Sequence, residues 1–130
     1  MADATEAVRT RLTVHAGTSA LISTRAWFGY LPQNPTLPAS VVQQITGTRE
    51  SAMGADVDKF AALVQVKAHA STRAGAQALA EQQRAALQRY SGTSAGTVVL
   101  DSFLVNEDDE MEPEEGIWSV RQDFRVWVTE

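Results

Sequence analysis

Apolar and polar residues alternate most sharply near the end of the chain. Over 116–128, Trp118, Val120, Phe124, Val126 and Val128 fall on one face. Ser119, Arg121, Asp123 and Arg125 fall on the other, and Gln122 is the one polar break in the apolar row. A period of two is the mark of a half-buried strand. Phe60–Ala70 repeats it, with Phe60, Ala62, Val64, Val66 and Ala68 against Leu63, Gln65, Lys67 and His69. Ala39–Thr48 and Val98–Val105 read as two further strands.

In two places the period lengthens to that of a helix. Thr72–Tyr90 puts Ala76, Leu79, Ala80, Gln83, Ala86, Leu87 and Tyr90 on one face, with Ser71 or Thr72 as N-cap. Its many alanines permit close approach to a sheet. From Thr5 to about His15, Val8 and Leu12 extended by Ala4 and Ala16 form a narrower stripe, capped by Asp3 or Thr5. The pattern therefore predicts an α+β fold over residues 1–130 as one domain. Its order is α-β-β-α-β-β: a four-stranded, mostly antiparallel sheet with two helices packed on one face.

Between these elements the pattern predicts loops. Ala20–Pro38 reads as irregular, because Pro32, Pro35 and Pro38 forbid a helix or a central strand there. Arg49–Asp58 reads as a polar loop around Gly54, Ser91–Thr97 as a small-residue linker, and Glu107–Glu115 as an acidic loop.

Composition narrows the chemistry. The chain has no cysteine, so disulfides, thiolate nucleophiles and Cys-bound zinc are excluded. A formal charge of −5 argues against a dedicated nucleic-acid binder, which works by neutralising phosphates. No run of apolar residues is long enough for a membrane span. The polar start, Met1 to Glu6, does not read as a signal peptide. The expected place of the chain is a cytoplasm, or a particle assembled there.

Gly92-Thr93-Ser94-Ala95-Gly96 matches the nucleophile-elbow pattern. That elbow needs a strand before the serine and a helix after it, the reverse of the order here, and both His15 and His69 precede Ser94. A small hydrolytic or ligand-binding domain is thus the weaker reading. The acidic run lacks the glycine and spacing of a calcium loop, and no metal or cofactor is expected. His69 reads as a half-exposed strand residue and His15 as a helix-end residue. Trp27, Phe28 and Tyr30 form an aromatic cluster in a proline-rich loop, suited either to a core lid or to a partner contact.

Several segments in order resemble the tail completion, or tail terminator, family of long-tailed bacteriophages and gene transfer particles. They are Tyr30-Leu31-Pro32-Gln33, then Leu37-Pro38 leading into Val41 to Arg49, the strand Ala61–Ala68, the helix Thr72–Leu87, and the closing Gln122-Asp123-Phe124-Arg125-Val126-Trp127. The first helix is less apolar than the family pattern. The resemblance implies a structural virion protein and no catalytic residue. It implies a ring, commonly of six subunits, that caps the finished tail tube and meets the head connector. A stopper or adaptor of the neck is the alternative. DNA would pass through such a ring without being gripped.

Two sets of contact residues follow as expectations. Arg49, Glu50, Met53 and Asp56, with Trp27, Phe28 and Tyr30, are candidate partner contacts, the former set towards the tail tube. Glu107, Asp108, Asp109, Glu110 and Glu112 belong to a run of seven acids in nine residues. They are expected to face the lumen or its rim, where they would repel phosphates within about a Debye length.

Overall fold

The computed structural model describes residues 3–33, 35–52, 55–112 and 116–129, with side chains outside 48–58 and 110–115. In chain order the elements are α1 (Ala4–Val14), α2 (Ala16–Ile22), β1 (Ala26–Phe28), β2 (Ala39–Ala52), β3 (Ala55–Ala70), α3 (Arg73–Leu87), β4 (Gly92–Ser94), β5 (Thr97–Glu112) and β6 (Ile117–Thr129). One sheet holds all the strands, in the order β1-β2-β3-β6-β5-β4. β1 runs parallel to β2, and every other pairing is antiparallel.

This corrects the expected four strands and two helices: among the described residues the sheet is six-stranded and mixed, with three helices. The additions have one physical cause. β1 and β4 are three residues long and α2 is seven, too short for a hydrophobic period to develop. The prolines do not forbid β1, which ends before them and pairs only one edge.

The loops are corrected too. The acidic run is strand as far as Glu112, paired with β6 from Glu107↔Gln122 to Glu112↔Ile117. Residues 49–52 and 55–58 are the two arms of the β2–β3 hairpin, with Ser51 opposite Asp56. The linker after α3 contains β4 and a two-residue turn. Ala95 and Gly96 both have positive φ there, as a tight twisted hairpin requires.

Asp3 caps α1, its carboxylate accepting from the Glu6 N–H at 3.1 Å. Thr72 caps α3 by accepting from the Gly75 N–H at 3.0 Å. Both helices lay their apolar stripes on the same face of the sheet. The core joins Ala4, Val8 and Leu12 of α1 and Leu79, Ala80, Ala86 and Leu87 of α3 to Val42, Val64, Val66, Phe124, Val126 and Val128. Gln122, the polar break in the last strand, is buried but satisfied. The Ser40 hydroxyl donates to Gln83 Oε1 at 2.7 Å, Gln83 Nε2 donates to Gln122 Oε1 at 3.0 Å, and Gln122 Nε2 donates to the Ala80 carbonyl at 3.0 Å. This chain ties β2, α3 and β6 together through the core. On the same face, the Phe60 ring lies over Gly47 where a Cβ would sit.

Candidate assembly surfaces

Among the described residues, the second face of the sheet carries no helix. Gln65, Lys67 and His69 of β3 lie on it, as do Ser119, Arg121, Asp123, Arg125 and Trp127 of β6. β5 contributes Asp101, Phe103, Asn106 and Asp108, which stand opposite Trp127, Arg125, Asp123 and Arg121. By register this face carries Lys59, Lys67, Arg121 and Arg125 against Asp101, Asp108, Glu110, Glu112 and Asp123, so it is highly charged with no excess of cations. A cleft of about 260 Å³ opens at its β2 side, lined by Tyr30, Leu31, Val41, Gln43, Gln65, Lys67 and His69.

The acidic residues do not form one patch, because successive side chains of a strand point to opposite faces. Asp108 lies on the open face and pairs with Arg121. Asp109 lies on the helix side and pairs with Arg73 at the start of α3, at 3.3 Å. Glu107 stands opposite Gln122, Glu110 opposite Ser119 and Glu112 opposite Ile117.

The aromatic residues separate as well. Trp27, level with Val41, belongs to the open face, and Phe28, level with Val42, to the helix face. Arg9 of α1 sits 5.5 Å from the Phe28 ring centroid and donates from Nε to the Ala26 carbonyl at 2.7 Å. Tyr30 is beyond the strand and is 80% exposed at the mouth of the open-face cleft. Arg49, Glu50 and Asp56 lie along the arms of the β2–β3 hairpin, and Met53 lies outside the described residues.

Ser94 is no nucleophile elbow. It ends β4, is followed by a turn into β5, and is buried. Its hydroxyl donates to the Ala7 carbonyl at 2.7 Å, fastening the β4–β5 hairpin to α1. His15 caps the C-terminus of α1, as its position predicts, but is not suited to a positive charge. Burial, and then the neighbouring Arg11, lower its pKa below the usual 6.5. Asp3 is also shifted down, chiefly because Thr5 donates a hydrogen bond to its carboxylate.

The sequence pattern did not single out the two lateral edges of the sheet. Among the described residues, β1 covers β2 only at Ser40–Val42, and β4 covers β5 only at Thr97–Val99. The stretch after α3 covers a little more of β5. The Arg89 N–H donates to the Ser102 carbonyl, and Gln88 Oε1 accepts from the Leu104 N–H at 2.7 Å. Register shifts interrupt both strands, after Gln44 and Arg49 in β2 and after Val99 and Leu104 in β5, and Ile45 and Val105, which the pairing skips, are about half exposed. Bulges are common where a sheet edge is shaped for a purpose. The signal was present as an apolar residue out of phase with its strand.

Among solved structures, a chain of the virion of a native gene transfer agent particle shares this fold. Its TM-score is 0.74, with 15% sequence identity over 98% of this chain and 95% of that one. No curated protein matches the sequence. The sequence profile of the family described as "Tail completion protein gp17" matches residues 6–129, nearly the whole length, so the chain belongs to that family of structural tail proteins of phage-type virions.

Proposed function

We propose that this protein caps the completed tail tube as a closed ring, commonly of six copies, and presents its other surface to the head connector or stopper. The observation that carries this is the family match over 6–129. The form of the subunit supports it. Its helices and core occupy one face of the sheet, while the other is polar, charged and without a helix over it. In a ring, that open face suits a water-filled passage for DNA. Its cations do not outnumber its carboxylates, so it offers no basic track to hold phosphates.

The acidic hypothesis becomes more specific in this arrangement. If the open face lines the passage, Asp108 with its Arg121 partner lies inside, and Asp109 with Arg73 does not. A ring structure with β5 on the outer circumference would reject this placement. The segment 49–58, with Arg49, Glu50, Met53 and Asp56 in its sequence, is the proposed contact with the tube end. Removing its tip should then give tails of irregular length.

Deleting the gene and imaging the particles tests the whole reading. Overlong tubes unattached to heads are expected for a terminator. Normal tails beside leaking filled heads would instead identify a stopper or adaptor.

A further inference from the structure

We infer that the cleft on the open face, between Tyr30 and β3, receives a carboxylate-bearing side chain of the neck protein on the head side, a contact that rests on the ring reading and gives it residues.

Position along the strands chooses the side. The cleft residues Gln65, Lys67 and His69 lie in the last third of β3, which ends at Ala70. The segment 49–58 lies at the opposite end of the same two strands. Roughly 35 Å of strand separates Asp56 from Lys67. With the hairpin end on the tube, the cleft is turned towards the head connector.

Charge chooses the ligand. The whole chain carries −5, yet Lys67 and His69 line this cleft and, among the described residues, no carboxylate does. Asp108 stands in the row of Lys67, but Arg121 lies between them and holds it. Gln43 and Gln65 add amide donors, and Tyr30 adds a hydroxyl. The Lys67 ammonium has three donors, so an incoming carboxylate adds to contacts already held there. Leu31 and Val41 complete an apolar wall, which suits a carboxylate on an apolar segment better than a bare ion. The volume, about 260 Å³, admits side chains but not a nucleic-acid duplex.

The wall stands before any partner arrives. The Gly29 N–H donates to the Val42 carbonyl at 3.0 Å, and the Tyr30 N–H to the Phe28 carbonyl at 2.9 Å. The Ala26 N–H donates to the Thr24 carbonyl, and the Ala26 carbonyl accepts from Arg9 Nε. β1 is therefore closed to strand addition, and a partner must enter by its side chains. Gly29, with φ +79°, turns the chain out of the strand. Tyr30 is left 80% exposed at the mouth, while His69 at the floor is only 5% exposed. An exposed tyrosine on a fixed wall loses little entropy when a partner covers it.

Tyr30→Ala and Lys67→Gln test the contact without touching the helix layer. Particles carrying each variant are imaged, and ring copy number is measured by native mass. The isolated ring is titrated calorimetrically with a blocked Leu-Glu-Leu-Glu-Leu peptide and with inorganic phosphate. Both variants are expected to form rings of normal mass and tails of normal length, with heads and tails left unjoined. Peptide binding should weaken about tenfold in Lys67→Gln. Normal joining in both variants overturns the contact. Tails of irregular length overturn it by placing the cleft at the tube. Rings that fall apart overturn it by making the cleft a contact between copies. Phosphate that binds as tightly as the peptide overturns it in favour of a phosphate ligand. A wild-type chain that forms no ring overturns the ring reading itself.

Discussion

The two faces of the sheet are built from the same strands, often from adjacent residues, yet they are held to different rules. Phe124 and Arg125 are neighbours in sequence. Phe124 is fully buried beneath the helices, and Arg125 stands on the open face between Leu63 and Phe103. On the helix face the polar Gln83, Gln122 and Ser40 are linked to one another and to backbone. Beneath the helices Ser102 Oγ is the exception, and on the open face Ser119 Oγ and an oxygen of Asp123 are buried without a protein partner among the described residues. The helix face therefore specifies the fold, and the open face holds polar groups that water or a neighbouring molecule must satisfy.

The largest test of that division uses the adjacent pair. Phe124→Ala should cost about 3–5 kcal/mol, since it empties a site at the centre of the core. Arg125→Ala should stay within about 1 kcal/mol. The shift of the urea midpoint measures both. Comparable losses would show that the open face also carries the fold.

The buried glutamines come next. Gln83→Leu removes both the acceptor of the Ser40 hydroxyl and the donor to Gln122. Each group left unsatisfied costs about 1–3 kcal/mol. Replacing Gln122 as well removes one of the stranded partners, so the double substitution Gln83→Leu/Gln122→Leu should be less destabilising than the sum of the singles. Additive losses would show that the chain of hydrogen bonds does not act as a unit.

The two faces also differ in how far the sequence revealed them. The helix face was legible because its residues repeat, at a period of two in β3 and β6 and of 3.6 in α3. Even Gln122 stood out, as a polar residue in an apolar row, although nothing in the spacing indicated Gln83 and Ser40 as its network. The acidic run was misread as a loop because charge conceals strand propensity. Its strand pairing is with β6, the next strand, and its ion pairs reach Arg121 there and Arg73 back in α3, none of which the charge run itself announces. The aromatic residues were expected in an irregular proline-rich loop, but Trp27 and Phe28 lie in β1. One tripeptide of strand, however, divides Trp27 from Phe28 between opposite faces. The edges left only the trace of Ile45 and Val105 out of phase with their strands, because a bare edge is defined by what pairs elsewhere.

Acid should weaken the helix layer before the open face. The pKa of His15 is lowered in the folded chain, so unfolding takes up a proton. Its contribution is fully present above the unfolded value of about 6.5 and is lost as pH falls through that value towards the folded one. Asp3 acts in the same direction at lower pH. Its stabilising contribution is present above the unfolded value of 3.8 and is lost as pH falls towards its depressed folded value. Thermal midpoints between pH 7 and 5 should decline, and His15→Gln should flatten part of that decline. An unchanged slope in the variant would place the acid sensitivity elsewhere.

The smallest effect on stability gives the sharpest functional comparison. Asp108 and Asp109 are adjacent, both are exposed, and each pairs with an arginine, one on the open face and one on the helix side. Exposed ion pairs contribute about 0–1 kcal/mol, so Asp108→Asn and Asp109→Asn should melt almost together. Charge reversal separates them. If the open face lines the passage, Asp108→Lys places a further cation beside Arg121 where DNA must slide. It should slow DNA release from particles, with the greatest delay at low salt, where phosphate attraction is least screened. Asp109→Lys would face Arg73 instead and leave release unchanged. Equal release kinetics for the two reversals would remove the open face from the proposed passage.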